Sequence, residues 1–174
     1  MKMQSFNYIA SVAAVSVISL SSSFANAFSD YCDSSSQSSN VEWIESIAIN
    51  GKEFASGNND GYIRHPEIVA MLAPGTNEIT LTPGFPFNVA FSETWTGWID
   101  LNGDDLFTDY EKIFEFRATT PETVSFEIPE DLDIGLATLR VVMSYDGYNQ
   151  PCGEYVYGET EDMAVSVDPL LFLD

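Results

Sequence analysis

The sequence predicts an all-β fold, an antiparallel β-sandwich of jelly-roll or immunoglobulin-like type forming a single domain. Three observations predict it. Apolar residues recur with period two, as in Phe85, Phe87, Val89 and Phe91, in Val124, Phe126 and Ile128, in Ala137, Leu139, Val141, Met143 and Tyr145, and in Met163, Val165 and Val167. Alternation of this kind places one face of a strand on a core and the other toward water. Turn clusters rich in Gly, Asn, Asp and Pro separate the runs (NGKEFASGNNDG, LAPGTNE, LTPGF, SYDGYNQP), at a spacing suited to short sandwich strands. Helical periodicity is thin.

From the N-terminus, residues 1–27 have the layout of a secretory signal peptide. Lys2 precedes an apolar and small-residue run from Ile9 to Leu20, and Ala25-Asn26-Ala27 ends it as an A-x-A cleavage site. The run is too short for the ~20 residues of a spanning helix. Cleavage would leave 27 acidic residues against 5 basic ones once Lys2 is gone, moving the formal net charge from -21 to -22. Such a surface disfavours nucleic acid and anionic lipid, which need Lys and Arg to neutralise phosphate, and favours cations. The expected location is outside the cell or on its surface, with the periplasm also open.

Residues 28–40 read as a Ser-rich, flexible lead-in tied down by Cys32, and residues 41–174 as the sandwich domain. Cys32 and Cys152 are the two cysteines of the chain, and in an exported protein such a pair reads as one disulfide. Closing so long a loop is worth on the order of 4 to 5 kcal/mol in the chain-entropy model. Residues 66–71 (PEIVAM) fit a short helix or a strand. His65 reads as a loop histidine without catalytic companions, and the tryptophans as core.

Residues 100–111, DLNGDDLFTDYE, carry five carboxylates between two apolar, strand-like flanks. Calcium takes about six to eight oxygens, and an EF-hand-type loop supplies them from its first, third, fifth, seventh, ninth and twelfth places. Asp100, Asn102 and Asp104 fall at the first three of these. Leu106 would offer a backbone carbonyl, Thr108 a hydroxyl and Glu111 the closing carboxylate, with Asp109 as an alternative ligand. The sixth place, where glycine makes the turn, holds Asp105, which tolerates a left-handed backbone better than most residues. The other reading is a solvated Asp/Asn turn. Zinc and copper suit the site poorly because imidazole and thiolate are nearly absent, and magnesium because its strict octahedron would leave oxygens unused.

In Gly158-Glu159-Thr160-Glu161-Asp162 the two glutamates share one strand face while Thr160 points away. They are expected either to complete the calcium shell or to form an edge-blocking charge row. Tyr145 and Tyr148, in the SYDGYNQP turn, are the expected ligand-facing aromatics. No G-x-S-x-G, H-E-x-x-H or phosphate-cradling glycine loop is present.

The series Tyr31-Cys32, Glu42-Trp43-Ile44, Gly61-Tyr62, Pro83-Gly84-Phe85, WIDLNGDDLFTDYEKIF, LRVVMSYDGYNQPCGEYVYGETED and MAVSV resembles the GEVED domain family from Tyr31 to Val167. The resemblance implies a secreted bacterial β-sandwich, commonly appended to extracellular peptidases or built into surface proteins, without catalysis of its own. It aligns the family's aspartate-rich segment with Trp98 to Asp104 and its cysteine pair with Cys32 and Cys152. Asp104-Asp105 departs from the usual Asp-Gly, and Ile63-Arg64-His65-Pro66 from the family's small or acidic pattern. The expectation is therefore a non-catalytic, calcium-binding protein whose partner is an extracellular polysaccharide or a surface or secreted protein. The alternatives are a small hydrolase using paired carboxylates and a self-assembling surface or matrix subunit.

Overall fold

A computed structural model describes residues 31–130, 132 and 135–167, apart from the side chains of residues 66–68 and 88. The signal-peptide reading and the C-terminal tail fall outside the described residues. Among those residues no helix is long and apolar enough to cross a membrane.

The described residues form ten strands in two sheets. The second, four-stranded sheet runs β3 (Lys52–Ala55), β2 (Trp43–Ile49), β5 (Gly75–Gly84), β8 (Glu122–Ile128), all antiparallel. The first is built on the long β10 (Gly153–Val167), followed by β9 (Ala137–Ser144), β6 (Glu93–Ile99) and β7 (Lys112–Ala118). The free edge of β10 is shared end to end by two parallel partners. β1 (Ser34–Ser38) covers its first part and β4 (Tyr62–Leu72) its second. The Gly61 carbonyl lies at the junction, accepting from Ser36 N at 3.2 Å and Thr160 N at 3.1 Å.

The sandwich core follows from the alternation. Trp95 and Ile99 of β6 pair with Met143 and Leu139 of β9, and Leu139 in turn with Met163 of β10. These meet Ile47, Ile49, Ile79, Leu81, Phe126 and Ile128 of the facing sheet in one buried cluster. A register irregularity between Ile44 and Ser46 brings Ile44 onto the same face as Ile47 and Ile49.

Two expectations are corrected and one open alternative is resolved. The Ser-rich lead-in is strand β1. Its small hydroxyl residues fit against β10, where Ser36 Oγ donates to Gly158 O at 2.6 Å and Ser34 Oγ lies 3.1 Å from Thr160 Oγ1. Phe85 to Phe91 is not a strand but a connection with a 3-10 turn at Pro86–Asn88. Pro86 cannot donate to a ladder, and Phe87, at φ 58°, stands 94% exposed. The ambiguous segment around Pro66 is strand β4, and its ladder with β10 resumes at Val69 after a bulge that accommodates the proline.

Among the described residues, two buried carboxyl groups carry oxygens without hydrogen-bond partners. Both oxygens of Glu93 and Oε1 of Glu42 lack a hydrogen bond, and the residues are 0% and 1% exposed. Burial, reinforced by the nearby Glu42, pushes Glu93 up to about 8, and burial with Asp146 pushes Glu42 up to about 7. The folded state therefore keeps protons that the unfolded chain releases near pH 4.5. This contribution to stability is complete below that pH and is lost as pH rises through the folded values. Urea unfolding in chelator should show stability falling between pH 5 and 8. Glu93→Gln should flatten that slope, gaining on the order of 2 kcal/mol at pH 8 and little at pH 5. Unchanged slopes in Glu93→Gln, matching those of the exposed control Glu122→Gln, would contradict it.

Candidate metal centre

Residues 100–111 close the hairpin between β6 and β7. The ladder runs to the mouth of the loop, with Ile99 N donating to Glu111 O at 3.0 Å and Asp100 N to Thr138 O at 3.1 Å. Both terminal carboxylates are thereby fixed to the sheet and buried, at 2% exposure for Asp100 and 4% for Glu111. Phe107 turns inward and anchors the middle of the loop.

The acidic side chains hold the turn by collecting its backbone N–H groups, as short polar residues do. Asp100 Oδ1 accepts from Gly103 N at 2.8 Å and Asp104 N at 3.3 Å, and its Oδ2 from Asp105 N at 3.1 Å. Tyr31 O–H donates to the same Oδ2 at 2.6 Å. Burial first, then this bond to Asp100, hold the Tyr31 phenol far above its ordinary value, so it remains a donor. Asn102 Oδ1 accepts from Asp104 N, and Asp104 Oδ1 from Leu106 N. Glu111 reaches back across the loop, accepting from Leu101 N at 3.1 Å and from Thr108 N and Oγ1 at 2.9 Å. Asp105 takes the left-handed backbone that its place demands, with φ 61°.

One carboxylate oxygen each from Asp100, Asp104 and Glu111 lie within 4.8 Å of one another, so the cluster could hold a metal ion. Carboxylate oxygens retain lone pairs beyond the N–H groups they accept, and an all-oxygen set suits a hard cation. Asn102, Leu106 and Thr108 occupy the same short loop. Asp109 is exposed and does not join the cluster.

Glu159 and Glu161 do not complete this group. They share a face as the alternation requires, but it is the inner face of β10, against the other sheet. Glu159 accepts from Ile44 N at 2.9 Å and Asn59 N at 2.6 Å. Burial pushes it up to about 7 against the pull of those N–H bonds. Glu161 accepts from Ser56 Oγ and lies 3.0 Å from His65 Nε2, so His65 is a strand residue paired with a buried carboxylate rather than a loop histidine. The pair stitches β10 to β2 and the β3–β4 connection.

The outward residue of the motif, Asp162, does reach the loop, through Arg140. The guanidinium is 1% exposed and forks onto Asp162, with Nε to Oδ1 at 2.7 Å and Nη2 to Oδ2 at 2.6 Å. Its Nη1 donates to Cys32 O and Pro151 O, the two chain ends joined by the disulfide. Its carbon lies 4.9 Å from the Phe107 ring, which stacks on Tyr31 at 4.8 Å. Arg140, Phe107 and Tyr31 were not legible as site residues, because none bears a ligand oxygen for the cluster.

Of the two expected ligand-facing tyrosines, Tyr145 is 47% exposed. Tyr148 instead stacks on Tyr155 at 4.9 Å and donates to the Cys152 carbonyl, so its ring packs over the disulfide end.

Fold and site together define a disulfide-pinned, two-sheet β-sandwich whose longest acidic hairpin loop gathers carboxylates at cation-binding separation. Over residues 94–166 the chain matches the GEVED domain, a stretch that runs from β6 through the acidic loop to β10. No curated protein matches the chain.

Proposed function

We propose that this chain is an exported, non-catalytic, calcium-stabilised sandwich that binds an extracellular partner, a matrix polysaccharide or a surface or secreted protein. The observation that carries the reading is the convergence of Asp100, Asp104 and Glu111 oxygens within 4.8 Å, two of the three side chains buried. Three formal negative charges this close favour a divalent cation that neutralises them. Calcium, when bound, would supply charge neutralisation and rigidity to the loop. The chain's part is to present oxygens from both loop ends, so that a cation joins β6 to β7. Leu106 and Tyr110 project from the same loop, 59% and 97% exposed, and a fixed loop would hold them for a partner.

Calorimetric titration with Ca²⁺ and separately Mg²⁺, with melting curves in chelator, tests this. Selective calcium binding at micromolar to millimolar concentration, with a raised Tm that the Asp100→Ala/Asp104→Ala pair abolishes, is expected. No heat and no stabilisation at millimolar calcium would refute it.

The hydrolase reading has one observation in its favour, the buried Glu42 and Glu93. Carboxylate-pair hydrolysis needs one group kept protonated and one ionised. Here both are pushed up, and Glu93 has no hydrogen-bond partner on either oxygen to orient it. The binding reading is the stronger for that reason, and release of reducing sugar from polysaccharide substrates would reverse the choice.

A further inference from the structure

Away from the acidic loop, a cavity of about 220 Å³ opens between Val41, Glu42, Phe91, Tyr145 and Tyr157. We propose that it receives a primary alkylammonium group, the end of a lysine side chain carried by a basic polypeptide partner.

Its floor holds Glu42, 1% exposed with Oε1 unpartnered, and close enough behind it to interact lies Glu93, fully buried with both oxygens unpartnered. Buried polar atoms are almost always paired, so the unpaired Glu42 Oε1 at the cavity, with the two unpaired oxygens of Glu93 behind it, points to a missing donor. An ammonium group brings three donors and a positive charge.

The walls fit the rest of a lysine. Phe91 and Tyr145 meet edge to face at 5.6 Å, and aromatic faces attract cations while covering an alkyl stem. A hard metal ion fits poorly, since it requires about six to eight oxygens and these walls are mostly carbon. The volume is below the roughly 300 Å³ of ordinary small-molecule pockets, which suits the tip of one side chain. Tyr145 and Tyr157, 47% and 42% exposed, leave the mouth open to a partner. A surface of formal net charge -21 would draw a basic polypeptide toward it.

The charged surroundings set the pH dependence. Asp146 acts on Glu42, and Glu42 and Arg117 act on Glu93. Ionisation of the two glutamates on raising the pH creates the counter-charge, while a lysine ammonium remains protonated to about pH 10. Binding should therefore strengthen from pH 6 to 8.5.

The test titrates the protein with the tripeptide acetyl-Gly-Lys-Gly-amide, its Nε-acetylated form and its arginine counterpart, following the tyrosine ring signals by NMR. Saturable millimolar binding of the lysine peptide is expected, at least about 10-fold weaker for the acetylated form and for Glu42→Gln/Glu93→Gln, and weakened by Tyr145→Ala. The glutamine changes remove buried repulsion, so folding should survive them. Equal binding of the acetylated peptide, preference for arginine, no effect of the glutamine pair, or no binding at pH 8.5 would each overturn the assignment. The titration is repeated in chelator and in Asp100→Ala/Asp104→Ala, so that failure of this pocket and failure of the calcium reading are separately visible.

Discussion

Replacing Asp162 with alanine is expected to lower the unfolding free energy by about 3–5 kcal/mol, the range found when one member of a buried ion pair is removed. The cause is the partner left behind. Arg140 is 1% exposed, and its other contacts are two carbonyls, the Cys32 sulfur and the face of Phe107, none of which carries the compensating charge. The urea midpoint should fall with its m-value nearly unchanged. Replacing both residues by apolar ones, Arg140→Met with Asp162→Leu, should recover much of the loss, because burying two charges is itself costly. A single substitution costing under about 1 kcal/mol, the worth of an exposed pair, would show that water reaches the guanidinium.

Gly158→Ala should be comparably damaging for a steric reason. Gly158 has φ +127°, and a Cβ there would lie 1.9 Å from the Met143 carbonyl oxygen and 2.8 Å from its carbon. Both are backbone atoms of the adjacent strand β9, so no side chain can swing aside. The expected loss exceeds about 2 kcal/mol, combining a disfavoured backbone region with overpacking. Gly103→Ala, at φ +70° with nothing within 4 Å, isolates the conformational part and should cost only about 1 kcal/mol. Equal losses for the two would remove the steric argument. Midpoints of chemical unfolding in chelator compare them without the contribution of any bound cation.

The acidic loop was legible because its ligands are local. Asp100, Asp104 and Glu111 lie within twelve residues, and the spacing that brings their oxygens together is a property of the turn itself. The same locality explains why Asp105 could be assigned a left-handed backbone, observed at φ 61°. Asp109 was an alternative that spacing could not decide, since its direction depends on how Phe107 anchors the loop. The assignment of Glu159 and Glu161 to the cluster failed for the opposite reason. Period two puts them on one face but does not say which face is inner, and here they turn between the sheets to meet Ile44 N and Ser56.

The sequence by itself determined the class of fold, the pairing of Cys32 with Cys152, and the oxygen spacing of residues 100–111. These rest on short-range periodicity, on a count of two cysteines, and on one turn. Only the tertiary structure decided that the central strands of the first sheet are buried on both faces. Its outer face carries a second cluster of Trp98, Phe107, Val142 and Tyr155, which is why β6 and β9 are buried throughout and lack the alternation of a half-exposed strand. It also made strand β1 from serines, through bonds to residues more than a hundred positions away, and set Glu42 beside Glu93. Contacts between distant segments depend on how sheets stack and loops fold back. A side chain's identity records what it can bond, whereas the partner it meets is fixed by the packing of the whole chain.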